Sequence, residues 1–196
     1  MFDQVSGQSI KVTLYTDSHI VRGTVVTHQH RVSDILNHAE EPFIVLGDVT
    51  MDEWGTRSQL MHAEYAQVNL AAVLFAVADT PVEARAELRT VKISEQAFIS
   101  VPPFKIIGQI YLLPERDLRQ ALDELIGNFV PVTDASYWSD TVGEARQSAM
   151  MVAFNHSRAQ ILAPHREVDP WAGLTRSPEA VADEATVAEA PDGGWG

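Results

Sequence analysis

The chain has 196 residues, 45% of them apolar, with 14 Lys or Arg against 27 Asp or Glu and a formal net charge of −13. The apolar content suffices for a packed core, and the negative field disfavours phosphate backbones and anionic membrane surfaces as partners. Cysteine is absent, which excludes disulfide frameworks, thiolate nucleophiles and cysteine-based zinc sites and suits a reducing cytoplasm.

From the start, Met1-Phe2-Asp3-Gln4 has neither the positive stretch nor the apolar run of a secretory signal. Ile10 to Tyr15 alternates polar and apolar residues, Asp17-Ser18 supplies a turn, and Ile20 to Thr27 resumes a β-rich run, which together predict a hairpin. Gly23 inside the second run predicts a bend or bulge. Val32, Ile35 and Leu36 then have helical spacing behind Ser33-Asp34. Phe43 to Val49 reads as a buried strand interrupted by Asp48, and Tyr65 to Val77 as a long apolar run bent at Asn69. The longest apolar stretch, Val68 to Ala78, falls far short of the ~20 residues a membrane-spanning helix needs.

The same series then recurs. His19 to Val25 lines up with Phe104 to Ile110 at an offset of 85, placing Gly23 on Gly108 and, further on, Arg31 on Arg116. After one inserted residue the offset becomes 86, where Leu36 meets Leu122, Phe43 meets Phe129, Asp48 meets Asp134, Val68-Asn69 meets Phe154-Asn155 and Phe75 meets Ile161. The second copy carries a longer helical stripe over Asp117 to Ile126, stopped by Gly127-Asn128. Internal repetition of this kind defines the architecture. It predicts a mainly β chain of two tandem copies, each β-β-(short α)-β-β, over residues 1–79 and 91–163, joined by an ordered connector at 80–90. Beyond them, residues 164–196 hold seven acidic residues against Arg166 and Arg176, the composition of a disordered acidic tail.

These residues carry a resemblance. Val-x-Leu before a turn, Gly-x-Val after it, Asp34-Ile35-Leu36-Asn37, Phe43 to Asp48, and Asn69 entering a closing apolar strand resemble the Sm/LSm-type, SH3-like small β-barrels. The resemblance implies a small barrel in each copy, edge-strand pairing between subunits, and a nucleotide pocket lined here by Arg31, Asp34, Asn37 and Asn69. The closing motif lacks the family's Arg-Gly pair, reading Gln67-Val68-Asn69-Leu70, and the second copy replaces Asp-x-x-Asn with Arg119 to Asp123. Taken by themselves, Asn37 and Asn69 read first as caps or bulge formers whose side chains satisfy backbone groups.

Two further residue sets are weighed for chemistry. His28 and His30, one apart on a strand end, with His38 beyond, could ligate Zn²⁺ or Ni²⁺, although solvated loop histidines are the ordinary alternative. Trp54, Trp138, Trp171 and Trp195 are candidate partner anchors, the first two in loops after the buried strands and the last two in the tail. There is no nucleophile elbow and no phosphate-cradling glycine loop. The pairs Glu40-Glu41 and Asp123-Glu124 are adjacent on the chain and read as solvated surface. The expectation is a non-enzymatic, cofactor-free assembly or scaffold protein that forms homo-oligomers through barrel edges, because an unpaired edge must be covered or paired. An Sm-type RNA or nucleotide binder and a small-molecule or metal-binding regulatory domain are the alternatives.

Overall fold

Alternation of apolar and polar residues dictates strands, and in a computed structural model of the chain, which describes residues 7–53, 60–78, 93–114, 120 and 127–166, strands dominate. In chain order they are β1 (Gln8–Thr16), β2 (His19–Thr27), helix α1 (Val32–Asn37), β3 (Phe43–Glu53), β4 (Met61–Asn69), β5 (Val73–Ala78), β6 (Ile93–Val101), β7 (Phe104–Leu112), β8 (Phe129–Ser139), β9 (Glu144–Asn155) and β10 (Ile161–Pro164). All ten form one antiparallel sheet in the order β10-β6-β7-β8-β9-β5-β1-β2-β3-β4. Within each half the order is fifth, first, second, third, fourth, and β5 of the first half pairs with β9 of the second.

The sequence offsets hold as structural equivalences. Strands β1 and β2 map onto β6 and β7 at 85, and β3 onto β8 at 86. The pairing partners agree as well: Tyr15 faces Phe75, and Ser100 faces Ile161. Phe43 likewise faces Asn69, and Phe129 faces Asn155.

The two interior glycines sit where a second strand crosses close. Between Arg22 and Thr24 the β2–β3 register slips by one residue, so that Asp48 and Val49 together oppose Gly23; Asp134 and Ala135 oppose Gly108 in the same way. The inserted residue of each bulge is the aspartate, with φ of 50° at Asp48 and 49° at Asp134, a left-handed conformation that Asp adopts more readily than most residues. A Cβ on Gly108 would lie 2.5 Å from Val132 Cγ1 and 2.8 Å from the Thr133 carbonyl oxygen, so that position admits only glycine without a backbone shift. The expected bulge is therefore present, but the extra residue belongs to the strand opposite the glycine.

The closing apolar run of each copy was expected as one bent strand, and here the structure corrects the β-β-(short α)-β-β plan. Asn69 Oδ1 accepts from the Ala71 amide at 2.9 Å, and Asn155 Oδ1 accepts from the Ser157 amide at 3.1 Å. Each asparagine thereby caps a 3₁₀ turn, Leu70–Ala72 in one half and His156–Arg158 in the other, and the chain leaves the turn as a separate fifth strand. β3 runs past Val49 to Glu53, and Trp138, expected in a loop, stands within β8. The connector at 80–90 and the tail beyond Arg166 lie outside the described residues, as does the helical stripe at 117–126 apart from Gln120.

Two apolar clusters fill the interior, and neither belongs to one half alone. The first unites Tyr15, Leu74 and Phe75 with Ile99, Phe104, Ile106, Tyr137 and Phe154. The second unites Leu14, Val32, Leu36, Leu46 and Val73 with Phe129 and Ala153. β5 serves both clusters, with Leu74, Phe75 and Val77 in the first and Val73 and Ala76 in the second, so Val73 to Val77 are all buried.

Candidate functional site

The feature that distinguishes the two halves is what covers their equivalent edges. At the junction β5 pairs with β9 through Phe75–Phe154, Ala76–Ala153 and Val77–Val152. A phenylalanine, an alanine and a valine pair meet there, and all but Val77 are fully enclosed. Asn155, 1% exposed, turns its side-chain amide across the junction and donates to the carbonyl oxygen of Val73 at 3.0 Å and of Leu70 at 3.4 Å. Its oxygen accepts from the Ser157 amide and hydroxyl, so the one side chain satisfies groups in both halves.

A second clasp lies at the start of β8. Asn37, the last residue of α1, donates through Nδ2 to the Phe129 carbonyl oxygen at 2.8 Å, and its Oδ1 accepts from the Phe129 amide at 2.8 Å. This two-way bond pairs a side chain with a strand end as another strand would. Gly127, with φ of +102°, permits the approach: a Cβ there would sit 2.6 Å from Asn37 Cγ. Val32, Ile35 and Leu36 of α1 cover Phe129 and Ala153 in the second cluster. Outside these clasps, Arg158 is ion-paired with Asp17 across the halves.

In the interior, Tyr15 and Tyr137 bring their hydroxyls to 3.1 Å, and Tyr137 donates to Gln147 Oε1 at 3.0 Å. Burial pushes the Tyr15 phenol well above its ordinary value, and its hydrogen bond to Tyr137 adds to that. A group whose folded pKa is raised contributes stability below its unfolded pKa and loses it as pH rises past that value. Stability is therefore expected to fall above about pH 10, by up to about 1.4 kcal/mol per pH unit from this group. Urea unfolding between pH 8 and 11 checks it: Tyr15→Phe should flatten the alkaline loss, and an unchanged slope would show that Tyr15 is not its source.

The expected nucleotide set is divided among other tasks. Asn37 has both amide atoms engaged at Phe129, Arg31 occupies the N-cap position of α1, and the Asp34 carbonyl oxygen closes the helix end on the His38 amide. Asn69 is exposed at the end of β4, with its oxygen in the 3₁₀ cap and its amino group without a partner among the described residues. The histidines are likewise separated in role. His28 and His38 line an open cleft of ≈ 460 Å³ beside Val26, Ile35, Glu40 and Phe43, whereas His30 Nδ1 lies 3.3 Å from Gln8 Nε2. Among the described residues no three His, Cys, Asp or Glu are grouped to hold a metal ion, so His28, His30 and His38 do not form the expected metal cluster. Trp138 is half-buried under the Arg146 guanidinium, 4.8 Å from its ring centroid, while Trp54, Trp171 and Trp195 lie outside the described residues.

Both ends of the sheet lack what the junction has. Among the described residues, strands β4 and β10 each pair on one side only. Phe43 is 43% exposed where its equivalent Phe129 is 3% exposed, and Ile161 is 52% exposed where Phe75 is fully buried. Gln67 and Asn69 are exposed where Ala153 and Asn155 are buried. Sequence reasoning singled out Asn69 but missed Phe43 and Ile161, whose only signal was their alignment with Phe129 and Phe75 across the repeat. Among the described residues no helix is long and apolar enough to cross a membrane. In comparison with known proteins, the chain matches no family model, no curated protein and no solved structure.

Proposed function

We propose that the chain is a non-enzymatic assembly protein made of two tandem small barrels of the Sm type, which associates with further copies of itself through its edge strands. One observation carries this reading: the strand positions that are paired and enclosed at the junction, β5 and β9, are unpaired and exposed in their equivalents at the sheet ends, β10 and β4. An edge that displays Phe43, Val45 and Tyr65 near unpaired backbone groups is one that proteins normally cover, charge or shorten. Among the described residues the first half's edge strand, β4, is nine residues long, uncovered, and carries one charged side chain, Glu64. The absence of cysteine supports placing the assembly in the cytoplasm, with the acidic C-terminal stretch as a solubilising tail.

Light scattering on the purified chain, read beside its 260/280 nm absorbance ratio, tests the reading. A particle mass that is a whole multiple of 21.6 kDa with a protein-only spectrum is the expected result. A multimer that carries nucleic acid and sheds it with rising salt would instead favour the RNA-binding alternative.

A further inference from the structure

The cleft between the end of β2, helix α1 and the start of β3 takes no part in the assembly proposed above. We propose that it docks a segment of a different protein that is both apolar and basic, a peptide strip in which Lys or Arg stands beside large apolar side chains. The cleft opens over the outward side chains of β2 and β3 and stands apart from the unpaired backbone of β4. The inference therefore does not depend on self-association.

The floor of the cleft is apolar and open to solvent. Val26 is 73%, Val45 53% and Phe43 43% exposed, and all three line the cleft over buried Ile35 and Ile44. Tyr65, 69% exposed, pairs with Gly47, two residues along β3 from Val45, which places it on the same outward face. Gly47 raises nothing between them: a Cβ there would meet only backbone oxygens, at 3.8 and 4.0 Å. Single apolar residues are ordinary on a surface, but a contiguous strip of this kind marks a contact site. At ≈ 460 Å³ the cleft has the volume of a small-molecule pocket, yet it is open and runs on towards Tyr65, which suits a peptide chain better than an enclosed ligand.

The rim selects the charge of the occupant. Glu40 and Glu41, both exposed, line the cleft, and no Lys or Arg does so among the described residues. His38 adds a further acceptor. Its Nδ1 lies 2.9 Å from the Asp34 carbonyl oxygen, which can only accept, so Nδ1 carries the proton and the neutral ring keeps Nε2 as an acceptor. An apolar floor beside carboxylates fits the side chain of Lys or Arg, whose methylenes lie on apolar surface while the charged head reaches the acids. The repeat supplies an internal comparison. Val26 corresponds to Tyr111, which is also exposed, whereas Glu40-Glu41 corresponds to Ile126-Gly127, so the acidic pair belongs to the first half alone. A second copy of the chain is a poor occupant, because it brings a net charge of −13 to an acidic rim.

Fluorescein-labelled peptides with capped ends test the site on the full-length protein. In the first Leu alternates with Lys, in the second Glu replaces every Lys, and in the third Ser replaces every Leu. Fluorescence anisotropy should show the Leu-Lys peptide binding at least about tenfold more tightly than either control. Glu40→Lys combined with Glu41→Lys should reverse the preference between the Lys and Glu peptides. Glu53→Lys combined with Asp140→Lys makes the same change of net charge away from the cleft and should leave the order as it is. Val26→Ser alters a side chain that is 73% exposed, so the fold is kept, and it should weaken the Leu-Lys peptide about tenfold. Failure of the Leu-Lys peptide to bind, or equal effects of the two double variants, would overturn the proposal, the latter by reducing binding to overall negative charge. Binding seen only with Phe2→Ser would assign the cleft to this chain's own residues before Gly7, which itself lies against Val26, and would overturn it as well. So would a particle mass that falls as the peptide is added, which would assign the cleft to a second copy. A chain that stays at 21.6 kDa yet discriminates among the peptides and variants as described upholds this site while removing the self-association reading.

Discussion

Replacing Phe75 by Ala is expected to cost about 3–5 kcal/mol of folding stability, the range for removing a large aromatic side chain from a closed core. Phe75 is fully buried on β5, the strand that links the halves. Its ring stacks on Tyr15 with centroids 4.2 Å apart and meets Phe104 and Tyr137 edge-on at 5.0 and 5.2 Å. Each such aromatic pair adds about 0.5–1.5 kcal/mol beyond the area it buries. Those partners come from β1, β7 and β8, so no single strand can move in to fill the void. The equivalent change in the other half, Ile161→Ala, removes a half-exposed side chain and should cost the isolated chain less than about 1 kcal/mol. Denaturant unfolding of the two variants measures the contrast, and equal losses would mean that β5 and β10 are not in the different environments described.

The second large effect is expected at Gly108. Alanine there places its methyl 2.5 Å from Val132 Cγ1 and 2.8 Å from the Thr133 carbonyl oxygen. The valine can change rotamer, but the carbonyl belongs to the bulge and moves only with the β8 backbone. Overpacking of this kind costs about 1–3 kcal/mol, and the backbone clash puts Gly108→Ala near the upper end. At Gly23 the nearest atoms are 3.0 Å away, so Gly23→Ala should cost less, about 1 kcal/mol. A shift in unfolding midpoint that is larger for Gly108→Ala than for Gly23→Ala is the result to look for; the reverse order would contradict the close approach at the second bulge.

These two positions also show which parts of the fold were legible in the sequence. The bulges were, because glycine inside a β-rich run has few other uses and because Gly23 and Gly108 recur with Asp48 and Asp134 at nearly constant spacing. The repeat was legible for the same reason: strand lengths leave little freedom, so the offsets of 85 and 86 survive in three dimensions, with the added residue falling between β7 and β8. The 3₁₀ turns were less so. An apolar run reads as one strand unless the asparagine's side-chain bond to the backbone is known, and the Asn69 and Asn155 caps depend on a two-residue local geometry that periodicity does not register.

Pairing of β5 with β9 could not be read at all. Val73 to Val77 is apolar at every position, which signals burial on both faces but not which neighbour provides it. The kind of role Asn37 plays was legible and its partner was not: its side chain does satisfy backbone groups, but they belong to Phe129, ninety-two positions along the chain. The histidines illustrate the converse: local spacing grouped His28, His30 and His38, whereas His28 and His38 line the open cleft and His30 lies beside Gln8.

The central claim is that the chain associates with further copies of itself through its unpaired edges, and the solution mass of the intact protein tests it most directly. Measured by light scattering over a range of concentrations, the mass should reach at least twice 21.6 kDa. A mass of 21.6 kDa throughout the range would contradict the account.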